Sequence, residues 1–306
     1  MAIPLLVVIF SSCDDKAKYF EDERYVKELF FVSNANNIHE VEYYLSGKEY
    51  ADGDVSVGVS GSNPIDQDVT AELTVDPDFV DQYNRSLYLD DRAKYVKTVD
   101  PSDYQIPSTT VHITAGKNPA AEYGLMNVKI KEEIIGDFIP DSAYFLGFKF
   151  VNSSPYAVKE GKDRLLYRIH KRNKYASTKV GTFYTSTGYQ GNGYFGVQKQ
   201  ILPLTSNTCR FTVGSTVFSA SNSYQVVVNK SMVVTINEDN SLSYSSYKGG
   251  VAIRKLTPSD DPNDASYYYR NVYNEEEKTF YLYYQYSTNG GGSFTEPIRE
   301  MVTLDQ

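Results

Sequence analysis

From residue 27 onward, apolar and polar side chains alternate in short runs broken by Gly, Asn, Asp, Ser and Pro. Val69–Val75 sets the pattern: Val69, Ala71, Leu73 and Val75 alternate with Thr70, Glu72 and Thr74, the period of a strand with one buried face. A helix start follows. Asp76 is placed to accept the free amides of a first turn, Pro77 suits the first helical position, and Phe79, Val80 and Tyr83 share one side of a short helix. The chain then returns to extended form, with Val111, Ile113 and Ala115 on one face and Gly116 closing the strand. An antiparallel sheet interrupted by one helical connection is the expected local fold.

The same reading predicts strands at 28–33, 39–45, 55–60, 69–75, 111–115, 126–130, 144–152 and 165–170. Seven or eight short strands over this span suit an immunoglobulin-like β-sandwich, with the helix after Val75 capping one end. A basic, polar stretch at 171–179 marks a boundary between domains at 27–172 and 173–306. Further strands are expected at 180–186, 194–201, 208–213, 224–229, 232–237, 242–247, 250–254, 267–273, 279–286 and 298–304. Asn289-Gly290-Gly291-Gly292 reads as a hairpin turn. The expected class is all-β, with two β domains. The second is an antiparallel sandwich or a small barrel, and the pattern does not choose between them.

Composition supports strands: 28 Tyr and 15 Phe but no Trp among 306 residues. A net charge of -9 argues against a nucleic-acid surface, which needs clustered Lys and Arg. The one basic cluster, His170 to Lys174, reads as a solvated linker. Of two cysteines, Cys209 lies in a strand-like T-C-R-F-T-V and reads as a buried, inert thiol.

The amino terminus reads as an address. Met1 to Phe10 is almost wholly apolar and leads into Ser11, Ser12 and Cys13, which resembles a bacterial lipoprotein signal peptide over residues 1–13 ending in a lipidated cysteine. It departs from that pattern in having no Lys or Arg before the apolar run. Residues 14–26 would form an acidic tether. Lipid chains of this kind hold a protein at the outer membrane, and Asp14, Asp15, Glu21, Asp22 and Glu23 resemble the acidic signal for cell-surface display in Bacteroidota lipoproteins.

Val75, Asp76, Phe79, Val80, Tyr83, Asn84, Tyr104, Ile106, Pro107, Val111, Ile113, Ala115 and Gly116, followed by the 144–151 and 165–169 segments, together resemble a known module. It is the amino-terminal domain of Bacteroidota lipoproteins encoded beside Sus-type glycan-uptake systems, also found at the front of some surface endoglycosidases. The tail Y-N-x-E-x-K-T-F-Y-L-Y-Y-Q-Y, with R-E-M-V-T-L after it, resembles over mainly residues 267–304 the carboxy-terminal β domain that accompanies it. The resemblance implies a non-catalytic, cell-surface protein that binds an oligosaccharide or polysaccharide near a Sus-type transporter and its lid lipoprotein. The alternative is an assembly lipoprotein whose β domains meet protein partners at the outer membrane.

The residues offer little catalytic chemistry. His39, His112 and His170 read as surface residues, and no nucleophile elbow, metal-protease helix or phosphate loop accompanies them. Glycosidase relatives of the module carry an added barrel domain, for which this chain has no residues left, so no enzyme and no cofactor are expected. Asp260, Asp261, Asn263 and Asp264 could offer calcium ligands, yet the spacing departs from an EF-hand and a solvated turn is the simpler reading. Tyrosine is the distinctive feature, because sugars pair apolar C–H faces with hydroxyls and a tyrosine meets both. Two stretches stand out for glycan binding: Tyr189, Gln190, Asn192 and Tyr194, and Tyr267, Tyr268, Tyr269 and Asn271.

Overall fold

A computed structural model describes residues 25–116, 123–219, 222–288 and 290–305. The signal peptide, Cys13, most of the acidic tether and Asn289 lie outside the described residues. Strand makes up 46% of the chain and helix 11%, so the all-β class holds.

The amino-terminal body contains β1 (Leu29–Phe31), β2 (Ile38–Tyr44), β3 (Tyr50–Val59), β4 (Val69–Val75), β5 (Lys97–Thr98), β6 (Tyr104–Gln105), β7 (Thr110–Ile113), β8 (Tyr123–Lys131), β9 (Tyr144–Ser154) and β10 (Arg164–Arg172). These form a four-stranded sheet, β1-β3-β8-β6, and a six-stranded sheet, β2-β10-β9-β4-β7 with β5 beside β9. The inner faces supply one core, including Val55, Val57 and Val128 from the first sheet and Leu73, Phe148 and Tyr167 from the second. Burying each such aliphatic or Phe side chain stabilises the fold by about 1.5–3 kcal/mol. At the centre the Tyr43 and Tyr167 hydroxyls lie 2.8 Å apart, and Tyr43 also donates to the Val128 carbonyl at 3.1 Å. This polar link joins the two sheets inside an apolar core, and burial raises the pKa of both phenols. Gly53 is required opposite them, because a Cβ there would overlap the Tyr167 hydroxyl and the Tyr43 ring.

Three expectations for this half change. The sandwich is not purely antiparallel: β10 pairs β2, and β9 pairs β5, in parallel. The helix, α1 (Pro77–Tyr88), does not cap an end. It lies on the outer face of the larger sheet, where Val80 packs with Phe145 and Leu166, and Phe79 and Tyr83 join them. Asp76 makes no side-chain capping bond. Its buried carboxylate instead accepts from Arg164 Nε at 2.6 Å, which pins the helix start to β10.

A second short helix, α2 (Glu132–Asp137), follows β8. Glu132 accepts from the amides of Ser46 at 3.0 Å and Gly47 at 2.8 Å, fastening the loop between β2 and β3 to the start of this helix. The second body contains β11 (Thr182–Gln190), β12 (Gly193–Pro203), β13 (Thr208–Thr212), α3 (Tyr224–Val228), β14 (Ser231–Ile236), β15 (Leu242–Ser246), β16 (Ala252–Lys255), β17 (Val272–Asn274), β18 (Thr279–Ser287) and β19 (Ile298–Leu304). They form one nine-stranded sheet in the order β15-β14-β13-β12-β11-β19-β18-β16, with β17 also on β18. The sheet curls until its ends meet. Leu242 N donates to Asn271 O at 2.8 Å, and Tyr273 N donates to Asn240 O at 2.9 Å. Of the two expected forms, the near-barrel is the one adopted. The expected strand at 224–229 is instead the short helix α3 with Asn229 ending it, started by the Ser223 hydroxyl accepting from Val226 N. Of 267–273, only its last two residues enter β17.

The junction differs most from its expectation. His170, Lys171, Asn173 and Ser177 are all buried, so the basic cluster is no solvated linker. Strand β10 runs through Arg172, and the next residues bridge the two bodies. Asn173 Nδ2 donates to the Thr205 carbonyl at 2.7 Å and the Thr208 carbonyl at 3.1 Å, while its Oδ1 accepts from Tyr175 N and Ala176 N. Lys171 Nζ donates to the Gly136 and Phe138 carbonyls, both at 2.9 Å. Arg210, buried on β13, grips Asp141 of the first body through two hydrogen bonds of 2.5 and 3.1 Å. Ordered, buried polar contacts of this kind couple the two bodies through hydrogen bonds that would be costly to leave unmade.

Candidate functional site

The outer face of the near-barrel brings the two tyrosine stretches together. Strands β11 and β12 form a tight hairpin, in which Gln190 pairs with Gly193 across Gly191 and Asn192. Gly191 has φ +56°, the left-handed conformation that a two-residue hairpin turn demands at its first position. Strand alternation then sorts the side chains. Tyr184 and Ser186 point into the core, whereas Tyr189 points out.

Register extends this outward row across four strands. Tyr194 on β12 opposes Tyr189 on β11, Tyr189 opposes Arg299 on β19, and Arg299 opposes Tyr283 on β18. The rings of Tyr189 and Tyr194 meet edge to face at 5.4 Å, and they are 40% and 65% exposed. The Arg299 guanidinium lies 5.5 Å from the centre of the Tyr189 ring, with Nη2 fixed to the Gly191 carbonyl at 2.8 Å. Both contacts hold a normally mobile cation in place.

Residues 256–271 fold over this row. Asp264 Oδ1 accepts from Ser266 N at 2.7 Å and from Ser266 Oγ at 2.6 Å, and Asn263 N donates to Asp261 Oδ1 at 2.9 Å. The acidic residues here cap their own turns. Among the described residues no cluster of three or more His, Cys, Asp or Glu is arranged to hold a metal ion. The loop brings Ala265 and Tyr269 over Tyr189, Asn192 and Arg299, leaving a cavity of about 290 Å³. Burial raises the Tyr269 pKa, Arg299 opposes the rise and Tyr189 adds to it, so the three groups act on one another. Asp264 is held below the usual carboxylate range by the Ser266 hydrogen bonds, with a smaller contribution from Arg299. Tyr267 and Tyr268 form an edge-to-face pair at 5.1 Å beside this loop, and Tyr268 is 67% exposed.

Not every sequence candidate faces the cavity. Tyr189, Asn192 and Tyr269 line it, Tyr194 extends its aromatic floor, and Tyr267 and Tyr268 flank it. Gln190 turns to the opposite side of β11, toward Gly214. Asn271 is buried and anchors the covering loop: Oδ1 accepts from Tyr244 at 2.5 Å and from Tyr283 N at 2.9 Å, while Nδ2 donates to Leu256 O. Neither can touch a ligand in this cavity. Arg299 was absent from the sequence candidates, because nothing in R-E-M-V-T tells which strand it will lie beside.

A larger cavity of about 420 Å³ lies between the two bodies. Its aromatic rings are already committed. Phe138 stacks on Tyr144 at 3.7 Å, and Tyr247 is 2% exposed. It lacks the open aromatic face of the Tyr189 site. The histidines add no catalytic arrangement. His112 is exposed beside Thr70 as expected, but His170 is buried and its pKa lowered chiefly by that burial, which corrects its placement at the surface. Cys209 is fully buried, with its thiol pushed up to about 12 by burial, an inert setting.

These features define a two-body β protein with an aromatic cavity on its second body. A family model described as an N-terminal domain matches residues 20–157, and a companion described as a C-terminal domain matches 163–301. The chain belongs to the family in which these two domains are joined. No functionally curated protein matches it. Its fold is similar to that of a Bacteroides ovatus protein of unknown function at 13% identity, with a TM-score of 0.57 over 91% of this chain and 94% of that one. It is also similar to a multidomain protein including DUF1735 from Bacteroides ovatus, at 16% identity and a TM-score of 0.51 over 90% and 92% of the chains. An auxiliary nutrient binding protein from Bacteroides thetaiotaomicron shares 14% identity and a TM-score of 0.52 over 88% and 91%.

Proposed function

We propose that this protein is a non-catalytic glycan-binding lipoprotein, anchored through Cys13 and displayed on the cell surface beside a Sus-type uptake system. The observation that carries the reading is the meeting of two distant tyrosine stretches around one cavity, with Tyr189 and Tyr194 as open faces and Asn192 and Arg299 as polar groups. A saccharide needs that combination of flat apolar surface and fixed hydrogen-bond donors. Sharing the fold of an auxiliary nutrient binding protein adds support.

The titratable groups favour binding over hydrolysis. A glycosidase needs a carboxylic acid with a raised pKa beside the bond it cleaves. Asp264, the acid next to Arg299, has its pKa lowered, and Glu300, whose pKa is raised by burial, is sealed inside the near-barrel. Binding of the chain from residue 25 onward to a broad glycan panel tests the reading. Capture of at least one glycan class, without release of reducing ends, is expected; silence across the panel would contradict it and favour an assembly role with a protein partner.

A further inference from the structure

The arginines of this chain fall into two groups. Arg164, Arg168, Arg172 and Arg210 each meet a carboxylate, at 2.6, 2.9, 3.5 and 2.5 Å. Arg254, Arg270 and Arg299 form no ion pair among the described residues. Each lies against an aromatic ring, as Arg164, Arg172 and Arg210 also do, but without a carboxylate partner: Arg254 at 4.0 Å from Phe294, Arg270 at 4.4 Å from Tyr267 and Arg299 at 5.5 Å from Tyr189.

Register places two of these cations on the same outer face. On β18, Tyr283 opposes Arg299 while Gln285, two residues on and on the same face, opposes Arg254 from the other edge. The two guanidiniums therefore flank β18, with strands on either side of it separated by roughly 10 Å. Arg270 belongs to the loop that covers the cavity and is exposed, as is Arg254. Two acids are near. Asp264 spends its Oδ1 on Ser266, and Glu296 sits beside Gly191. Neither reaches ion-pair distance of Arg299.

In a chain of net charge -9, Arg299 in the cavity wall, with Arg254 and Arg270 exposed on the same side and none of the three in an ion pair among the described residues, needs a reason. Among the described residues one hydrogen bond from Arg299 is committed, to Gly191 O, which leaves the rest of its planar fork available. An aromatic face with a pinned guanidinium matches a sugar ring that carries a carboxylate or a sulfate.

Building on the glycan-binding reading above, we propose that the Tyr189 cavity selects anionic saccharides, with Arg299 receiving the acidic substituent of the sugar stacked on Tyr189 and Arg254 and Arg270 receiving those of its neighbours along the chain. Several cations on one face suit a polymer that repeats its charge. Carboxylate and sulfate share the chemistry of a bidentate arginine, and the test separates them.

Binding of the protein to polygalacturonate, to chondroitin sulfate, to neutral mannan and dextran, and to duplex DNA is measured at 50 and 300 mM salt. One or both acidic polysaccharides are expected to bind, mannan and dextran not to, and DNA at least tenfold more weakly. Preference between the first two identifies the substituent. Arg299→Gln should weaken binding about tenfold or more, Arg299→Lys should restore only part of it because a lysine lacks the fork, and Arg254→Gln and Arg270→Gln should each weaken it severalfold. The last two residues are exposed, so they test the proposal even if an Arg299 variant does not fold. Neutral glycans bound as well as acidic ones, or DNA bound equally well, would overturn the anionic selectivity while leaving the glycan reading or replacing it with general polyanion attraction. No binding to any glycan would overturn both.

Discussion

Lys199 Nζ and Glu300 lie 2.9 Å apart inside the near-barrel, neither with any side-chain exposure. Lys199 also donates to the Thr212 carbonyl at 3.1 Å, and Ser186 and the Tyr284 hydroxyl approach Glu300 at 3.4 Å. Burial lowers the lysine pKa and raises the glutamate pKa, each offset by the other charge. Glu300 points in, so Arg299 before it points out, and the buried pair thereby fixes the register that presents Arg299 to the cavity. Removing one partner leaves an uncompensated buried charge. Lys199→Met is expected to cost about 3–5 kcal/mol in urea unfolding, whereas Lys199→Met with Glu300→Leu should recover most of that loss.

Lys171 gives the junction a pH dependence. Burial pushes its pKa down to about 7, from 10.5 in the unfolded chain. Between those values the unfolded state binds the extra proton, so stability rises with pH across this window and is lost as pH falls through about 7. Stability should therefore climb by about 2 kcal/mol from pH 7 to pH 9. In Lys171→Met that rise should disappear, as read from urea midpoints at both pH values.

Coupling between the bodies rests in part on Arg210 and Asp141. Asp141→Ala leaves a guanidinium that is 4% exposed without its partner. A loss of about 3 kcal/mol is expected. Calorimetry should then show the single transition of the parent protein broaden or split as the bodies unfold separately.

Two neighbouring candidates should behave in opposite ways. Tyr269→Ala removes a half-buried cavity wall and should weaken ligand binding with a change in unfolding midpoint of only a few degrees. Asn271→Ala deletes three hydrogen bonds at a residue with φ +53°. It should cost about 3 kcal/mol of stability and reduce binding only through the loosened loop. Thermal melts alongside binding isotherms distinguish the two.

Much of this fold could be read from alternation alone. Val69 to Val75 showed its buried face, and Thr279 to Tyr286 likewise became a central strand, because a two-residue period survives whatever the partner strand is. Pairing could not be read. The parallel union of Ile38–Tyr44 with Arg164–Arg172 joins segments more than 120 residues apart, and no local pattern encodes it. Polarity also misled at His170 to Asn173, where the Gly136 carbonyl of the first body and the Thr205 carbonyl of the second satisfy groups that composition alone assigns to water. At the site, glycines and polar amides between tyrosines suggested an exposed loop, which the structure reduces to a two-residue turn between paired strands, and side-chain direction depended on register. Tyr189 therefore faces the cavity while adjacent Gln190 does not.

The most direct test of the account is isothermal titration of a bound glycan against the parent protein and Tyr189→Ala, with thermal melts of both. Tyr189 is a surface ring whose removal opens no core cavity, so the account predicts at least a tenfold loss of affinity with an unfolding midpoint within a few degrees of the parent. Unchanged affinity in a normally folded Tyr189→Ala protein would contradict it and place the ligand elsewhere.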